Sequence, residues 1–374
     1  MTGLNKTTVS SLVTELTERQ FVHEVGLDSS GIGRPAMLLE LNPEAGCIVS
    51  AEIGVDFISV IRTDFAPEII WQHKESIDSK VGHRTIIDRA IALLDEAIDS
   101  RSASDGNLLG MAVGVPGLID QVDLTVLFAP NLGWRDVKLG SVLREAFDVP
   151  VFVDNEANMA ALGEYYFGAA QGRDEILYIS AGVGLGGGIV RSGALVKGKT
   201  GCAGEFGHMT MDPEGELCSC GNRGCWETLV SQSAVFRHIR QAIEQGRTSV
   251  LSEMTEGDLK RLTIPMVVDA ARQGDQVALQ VLDRVGHDLG IGVASLLNAL
   301  NPDLVVFGGI LSLAADFLLP PMEIELEQRA LDWNRTATRV VPARHGCDAC
   351  VMGGVATIYQ TILAQPGNAE RVFG

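Results

Sequence analysis

The stretch "EILYISAGVGLGGGIV", from Glu175 to Val190, is typical of two buried strands joined by a glycine-rich turn. It begins the second occurrence of one pattern, in which three strand-like runs precede alternating helices and strands. The first occurrence begins near Cys47 with the runs "CIVSAEIGV", "DFISVIRTDF" and "EIIWQHKESI". An α/β pattern that occurs twice predicts an internally duplicated fold with a cleft between two lobes.

Periodicity predicts the remaining elements. Strands are expected in "LLGMAVGVPGLID", in Val151–Val153 and in "DLVVFGG". Amphipathic or apolar helices are expected at residues 84–100, 140–147, 159–168, 231–245, 265–273 and 276–300, and further helices finish the chain.

Polar side chains crowd the end of one predicted strand. In "VFVDNEAN", residues 151–158, three apolar residues are followed by Asp154, Asn155, Glu156 and Asn158. Strand ends of α/β proteins are common places for chemistry. The residues alone leave three interpretations of Glu156 open: a catalytic base, a ligand-binding group or a solvated turn residue.

Composition limits the class of protein. A chain of 374 residues with 46% hydrophobic residues predicts two or three domains with large cores. No apolar run is long enough to cross a bilayer and no signal-peptide pattern follows Met1, which predicts a soluble, cytoplasmic protein without a membrane partner. The net charge of −19 argues against a surface that binds nucleic acid all over, although one small DNA-reading element remains compatible with it.

The seven cysteines are unevenly clustered, which favours metal binding over a disulfide framework. The segment "GHMTMDPEGELCSCGNRGC" places His208, Cys218, Cys220 and Cys225 within eighteen residues, among glycines. One imidazole and three thiolates make a closed tetrahedral set for Zn²⁺, which predicts a structural zinc site. The alternative is four reduced residues in a polar loop.

A second pair, Cys347 and Cys350, lies in apolar surroundings without another pair, which favours packing over metal binding. The glycines of "SAGVGLGGGIV" would let backbone amides approach phosphates, but a hairpin between lobes needs glycines for its geometry alone.

The first residues suggest part of a DNA-binding module. Asn5 is a credible N-cap for a helix with Val9, Leu12, Val13 and Leu16 at core spacing. Two strands, "FVHEVG" and "AMLLEL", then flank a loop with one arginine. A recognition helix and wing are one interpretation, and an ordinary helix and hairpin are the other, because residues 1–44 hold three basic and six acidic residues. The helix that precedes the turn in a complete module is absent, so only a partial module is expected.

Motifs in order along nearly the whole chain resemble the ROK family (repressors, open reading frames, kinases). They are "GVPGLID", "APNLGW", "NEANMAALGE", "GVGLGGGIV", "GEFGH", "CSCGNRGCWE" and "PDLVVFGG". The resemblance implies an α/β, two-lobed actin-like, ribonuclease H-like sugar-kinase fold with an N-terminal partial winged helix-turn-helix. The expected domains are residues 1–44 for the helix and wing, 45–165 for the first lobe, and 166–374 for the second lobe with the zinc-binding segment 208–225.

The resemblance also implies site residues. By position, Asn155 would bond a sugar and Glu156 stands where family kinases have a catalytic Asp. His208 resembles a histidine that binds zinc through one nitrogen and sugar through the other. The implied sugar contacts are Gly117, Asn155, Glu156, Glu205, His208 and Glu227. Through the likeness to the xylose-repressor group, the implied DNA contacts are Lys6, Thr7, Thr8, Ser10 and Arg34.

Departures from the family pattern favour a regulator over an enzyme. Where family kinases have a DxGGTK-like phosphate loop, this chain has "EIGVDF", residues 52–57, and the usual Thr of the second glycine turn is Val183. Glu156 is one methylene longer than the kinase Asp, and general-base catalysis tolerates little misplacement. The sequence therefore predicts a sugar-responsive repressor without catalytic residues. Its effector would be xylose, glucose or an N-acetylglucosamine-like sugar, its other partner operator DNA, and its assembly a homodimer or homotetramer. The alternative is an ATP-dependent sugar kinase.

Overall fold

The computed structural model describes residues 5–28, 36–102 and 105–364. Within these ranges the helices are α1 (Lys6–Glu18), α2 (His83–Asp99), α3 (Leu139–Ala146), α4 (Glu156–Tyr166), α5 (Glu227–Val230), α6 (Gln232–Glu244), α7 (Leu251–Met254), α8 (Ile264–Arg272), α9 (Gln276–Leu300), α10 (Ala315–Arg329), α11 (Asp332–Ala337) and α12 (Ala349–Ala364). The strands are β1 (Val22–Asp28), β2 (Ala36–Leu41), β3 (Cys47–Ile53), β4 (Phe57–Asp64), β5 (Ile69–Ser76), β6 (Leu108–Val115), β7 (Leu118–Asp120), β8 (Thr125–Ala129), β9 (Trp134–Val137), β10 (Val151–Asn155), β11 (Glu175–Ala181), β12 (Leu185–Arg191), β13 (Ala194–Leu195), β14 (Leu304–Gly308) and β15 (Arg339–Pro342).

Two five-stranded sheets have the same topology. In the first, β3, β4 and β5 are antiparallel neighbours, β6 runs parallel to β3, and β10 runs parallel to β6. In the second, β11, β12 and β13 are antiparallel neighbours, β14 runs parallel to β11, and β15 runs parallel to β14. The duplicated α/β arrangement predicted from the sequence is therefore confirmed.

Helices α4 and α12 lie between the two sheets. One hydrophobic cluster joins Met159 of α4 and Val355 of α12 to Ala112 of the first sheet and Val306 of the second. The two helix backbones approach so closely that a Cβ at Gly353 would lie 1.7 Å from the Met159 carbonyl oxygen. Although α12 falls in the segment 166–374 predicted for the second lobe, it packs on β3 and β6 of the first sheet.

The far face of the second sheet is covered by α6, α8, α9 and α10. The longest of these, α9, begins where the Asp275 carboxylate accepts hydrogen bonds from the amides of Val277 and Ala278. It ends where Asn301 adopts the left-handed conformation, as helix ends often do. In the described parts of the chain, no helix combines the length and apolarity that a membrane crossing requires.

The N-terminal helix and hairpin differ in one respect from expectation. Asn5 caps α1 as predicted, since its side chain accepts a hydrogen bond from the Thr8 amide. The predicted core role of Val9 and Leu12 is wrong, because their exposed fractions are 39% and 41%. The predicted wing residue Arg34 lies outside the described residues.

Phe21 anchors this N-terminal part to the body. Its ring stacks on Phe65 at 5.0 Å between centroids, and Phe65 stacks on Tyr359 of α12 at 4.9 Å. Leu16 of α1 packs against the same cluster.

Two element boundaries bear on the cleft. The strand predicted through "LLGMAVGVPGLID" is split at Pro116–Gly117 into β6 and β7. Helix α4 begins at Glu156, three residues before the prediction, because Asn155 is its N-cap. The polar cluster after Val153 therefore belongs to a strand end and a helix start, not to a turn.

Candidate functional site

A cleft of about 630 Å³ opens between the two sheets. Both lobes line it, the first through the ends of β3 and β10 and the second through the glycine turn between β11 and β12. All six residues that the sequence proposed for sugar contact lie along its wall: Gly117, Asn155, Glu156, Glu205, His208 and Glu227.

The Asn155 side chain already makes three hydrogen bonds within the protein. Its Oδ1 accepts hydrogen bonds from the amides of Ala157 at 2.8 Å and Asn158 at 3.2 Å, which caps α4. Its Nδ2 donates to the Gly117 carbonyl oxygen at 3.1 Å, which leaves one N–H for a ligand. Gly117 has φ +134°, and a Cβ there would lie 2.5 Å from the Phe128 carbonyl oxygen, so only glycine fits this approach.

Glu156 is the most unusual polar group of the cleft. Its Oε2 is buried and has no hydrogen-bond partner among the residues that the structure describes. Burial raises the pKa of this carboxyl to about 7, and the nearby charges of Glu205 and Asp154 act in the same direction. A buried acceptor without a partner is costly, which makes this oxygen a point where a ligand hydroxyl would be stabilising.

Glu52, at the end of β3, lies beside it. Burial, and then the charge of Glu156, raise the pKa of the Glu52 carboxyl to about 8. The side chain of Cys350, at the start of α12, hydrogen-bonds to Glu52. The floor of the cleft therefore holds two carboxyl groups that are both partly protonated near neutral pH.

The predicted metal ligands converge. One ligand atom from each of His208, Cys218, Cys220 and Cys225 lies within 4.8 Å of the others. Cys218 Sγ is 3.7 Å from His208 Nδ1, and Cys220 Sγ is 3.7 Å from Cys225 Sγ. The tight wrap depends on Gly224, where φ is +63° and a Cβ would lie 1.4 Å from the Asp212 carbonyl oxygen. This cluster fits a single metal ion, because one nitrogen and three sulfurs are a full tetrahedral set.

His208 connects this cluster to the cleft. Its Nδ1 faces the sulfurs, while its Nε2 lies 3.8 Å from Glu205 Oε2 on the cleft side. Glu227 has a similar double position: Oε1 accepts a hydrogen bond from the Cys218 thiol at 2.8 Å, and Oε2 accepts from the Leu185 amide at 3.4 Å. His208 and Glu227 thus lie between the cluster and the cleft and contact both.

The turn after β3, which also lines the cleft, differs from a phosphate-binding loop. After β3 the chain turns tightly, with the Gly54 amide donating to the Phe57 carbonyl oxygen at 2.9 Å. The Phe57 ring lies so close that a Cβ on Gly54 would be 2.5 Å from it. Val55, Asp56 and Phe57 all line the cleft, where an apolar ring and an acidic side chain disfavour phosphates. Lys74 brings one cation, with its Nζ 4.2 Å from the centre of the Phe57 ring.

Sequence reasoning missed several of these groups. Lys74 gave no signal because it lies mid-strand among polar residues. Cys350 is buried in the core cluster, as its packing interpretation expected, but it also borders the cleft together with Cys347. Glu164 is fully buried, and its carboxylate accepts hydrogen bonds from the amides of Arg344 and His345. It holds the segment before α12 in place, and only the fold shows this.

Comparisons with known proteins agree on the family of this chain. The profile described as "ROK family" matches residues 48–361. The xylose repressor of Bacillus subtilis (strain 168) is 36% identical over 356 residues, which are 94% of this chain and 87% of that protein. A crystal structure of a ROK family transcriptional regulator, a homologue of the E. coli MLC protein, superposes with a TM-score of 0.80 at 28% identity, covering 96% of this chain and 89% of the other.

A ROK family glucokinase from Streptomyces griseus, solved in complex with glucose and AMPPNP, superposes with a TM-score of 0.77 at 32% identity. The match covers 84% of this chain and 100% of the kinase. The two-lobed actin-like fold expected from the sequence is thereby confirmed, and the chain belongs to the ROK family.

Proposed function

We propose that this protein is a sugar-responsive transcriptional regulator that represses sugar-utilisation genes and has no kinase activity. The observation that carries the proposal is the buried Glu156 Oε2, which has no hydrogen-bond partner among the described residues. It lies in a cleft that is also lined by the other five residues proposed for sugar contact: Gly117, Asn155, Glu205, His208 and Glu227. Similarity to a xylose repressor over nearly the whole chain supports the regulatory part.

The chemistry of the cleft suits an aldose. Each sugar hydroxyl both donates and accepts, so it needs carboxylates and N–H groups placed around it. Glu156 Oε2 would accept from one hydroxyl, and the remaining N–H of Asn155 Nδ2 would donate to another. Glu205, His208 Nε2 and Glu227 would contact the opposite side, and Gly117 lets the ligand approach the backbone. Xylose is the favoured effector, with glucose and N-acetylglucosamine-like sugars as the alternatives.

Zinc is the metal proposed for the cluster of His208, Cys218, Cys220 and Cys225, because Zn²⁺ prefers thiolate and imidazole ligands in tetrahedral geometry. With four protein ligands the ion would be structural. Bound to Nδ1 of His208, it would leave Nε2 protonated and directed at the cleft, where that N–H would donate to the sugar.

Operator DNA is the second proposed partner. Lys6, Thr7 and Ser10 are exposed on α1, as a recognition helix requires. Thr8 contributes less to such contacts than the sequence suggested, because its hydroxyl donates to Asn5 Oδ1 at 3.1 Å. Arg34 remains a proposed wing contact. In a homodimer or homotetramer, sugar would change the angle between lobes and hence the spacing of paired helices on DNA.

A thermal-shift screen tests the sugar part. Zinc-loaded protein is heated with D-xylose, D-glucose and N-acetyl-D-glucosamine, and a ligand of the native state raises Tm. Glu156→Ala should remove the shift. An operator fragment from the protein's own promoter region should then be bound in a gel-shift assay, with an affinity that changes when the active sugar is added. Failure to bind that fragment under both conditions would refute the regulatory function.

The second candidate is an ATP-dependent sugar kinase. Lys74 in the cleft and the likeness to a glucokinase bound to glucose and AMPPNP favour it. A pKa near 7 would also suit Glu156 as a general base, so the case against catalysis rests on the phosphate side. A coupled assay of ATP consumption with pentoses and hexoses discriminates: turnover that Glu156→Ala abolishes would establish the kinase and overturn the repressor proposal.

A further inference from the structure

Lys197 ties the second lobe to the first beside the sugar residues. Its Nζ donates to Asp154 Oδ2 and to Gln121 Oε1, each at 2.5 Å. Gln121 Nε2 in turn donates to Asp154 Oδ1 at 3.4 Å, which closes a network of three side chains. The Asp154 side chain is only 10% exposed, so the ion pair is shielded on one side from water.

The three residues come from different parts of the fold. Asp154 lies at the carboxyl end of β10, and Gln121 lies in the turn after β7, both in the first lobe. Lys197 follows β13, the edge strand of the second sheet. The network therefore joins the two lobes, next to the cleft residue Asn155.

Lys197 also begins a compact loop that ends in the cleft. The Ala203 amide donates to the Lys197 carbonyl oxygen at 3.2 Å and closes this loop at its base. Cys202 and Glu205, which follow within a few residues, both line the cleft. At the loop's tip, Gly201 lies against the first lobe, since a Cβ there would be 3.4 Å from Gln121 Cγ. Glu205 follows the base of this loop by two residues, so we expect a movement of the loop to shift Glu205 as well.

Opening of the cleft must break this network. Rotation of the lobes apart moves the loop of the second sheet away from the β7 turn of the first. An interaction that exists in only one lobe arrangement biases the equilibrium toward that arrangement, and so does a sugar that contacts both lobes. The network and the sugar should therefore stabilise the same closed state.

We propose that Lys197 is a positioning residue, which latches the loop 197–205 onto Asp154 and Gln121 and so holds Glu205 against the bound sugar. The proposal deepens the proposed function and rests on it for the sugar, but the latch itself is testable without any ligand. Lys197 does not contact the sugar in this scheme. Its effect on affinity comes entirely from closure.

The first test uses the full zinc-loaded chain without sugar. In Lys197→Met the backbone amides of residues 202–205 should exchange with deuterium about tenfold faster, because the closed loop becomes less populated. Lys197→Arg keeps the charge and should restore slow exchange. Lys199→Met is the matched control, since Lys199 lies exposed in the same loop and its side chain makes no hydrogen bond or ion pair with the other residues that the structure describes. Equal exchange rates in the native chain and Lys197→Met would overturn the latch.

The second test measures sugar affinity by calorimetric titration with D-xylose, D-glucose and N-acetyl-D-glucosamine. Lys197→Met should weaken the Kd about tenfold, which corresponds to about 1.4 kcal/mol, while Lys197→Arg and Lys199→Met should bind as the native chain does. Asp154→Asn combined with Lys197→Met should cost little more than Lys197→Met alone, since both changes break one contact. Native affinity in Lys197→Met would refute the latch. If the native chain binds none of the sugars while the exchange result holds, the proposed function fails and the latch stands.

Discussion

Glu52→Gln should stabilise the protein at alkaline pH. The Glu52 carboxyl is 9% exposed at the end of β3, and burial and the charge of Glu156 raise its pKa from 4.5 to about 8. A glutamine in its place keeps an oxygen that can accept from the Cys350 thiol. It removes the charge that neither burial nor Glu156 favours.

The sign and size follow from proton linkage. Between pH 4.5 and about 8 the folded chain keeps a proton on Glu52 that the unfolded chain has lost. The stability associated with this proton is complete below pH 4.5 and is lost as the pH rises through about 8. At about 1.4 kcal/mol for each pH unit, the loss has an upper bound of roughly 5 kcal/mol. Because burying the glutamine amide has its own desolvation cost, we expect Glu52→Gln to recover about 2 kcal/mol of this loss.

Urea unfolding followed by tryptophan fluorescence, at about pH 5 and about pH 9, measures this difference as a shift in midpoint. Glu52→Gln should unfold at higher urea than the native chain at the alkaline pH and at nearly the same concentration at the acidic pH. Glu44→Gln is the control, since Glu44 is exposed and should give no shift at either pH. Equal destabilisation by Glu52→Gln at both pH values would refute the reasoning, because it would mean that the native carboxylate is stabilising.

Three further predictions concern the proposed partners. Glu156→Ala should lower sugar affinity by at least about tenfold, because a sugar hydroxyl loses its partner. Glu156→Asp should consume no ATP above background. Kinase activity created by that single change would contradict the inference that Val55, Asp56 and Phe57 prevent phosphate binding. In Cys225→Ser, elemental analysis should find less of the proposed zinc than in the native chain, and sugar binding should be weaker because His208 is no longer held. Unchanged sugar affinity in the zinc-depleted variant would show that the two sites are independent. Lys6→Ala should weaken binding to all DNA sequences by a similar factor and reduce the slope of log affinity against log salt by about one. An unchanged slope would show that Lys6 of α1 does not contact a DNA phosphate.

Whether a contact can be predicted from the sequence depends on the distance along the chain between the two residues. The proposed metal ligands, from His208 to Cys225, are close in sequence, and so are Asn155 and Glu156, so spacing alone predicts their proximity. The network of Gln121, Asp154 and Lys197 joins segments far apart in the chain, and no local pattern could indicate it. The interpretation of Val9 and Leu12 as core failed for a related reason: helical spacing defines an apolar face but not whether a neighbour covers it.

The ring stack of Phe21, Phe65 and Tyr359 has a consequence for how the protein can be divided. Helix α1 has no buried residue of its own, so it is attached to the body mainly through Leu16 and this stack. Tyr359 lies on the same helix as Cys350, which borders the cleft about 14 Å away along the axis. Phe65→Ala should therefore release the N-terminal segment to limited proteolysis by trypsin, with early cleavage after Arg19, while the remaining fragment still binds sugar. An N-terminal segment attached in this way could be exchanged between regulators without rebuilding the cleft, provided that the aromatic stack moves with it.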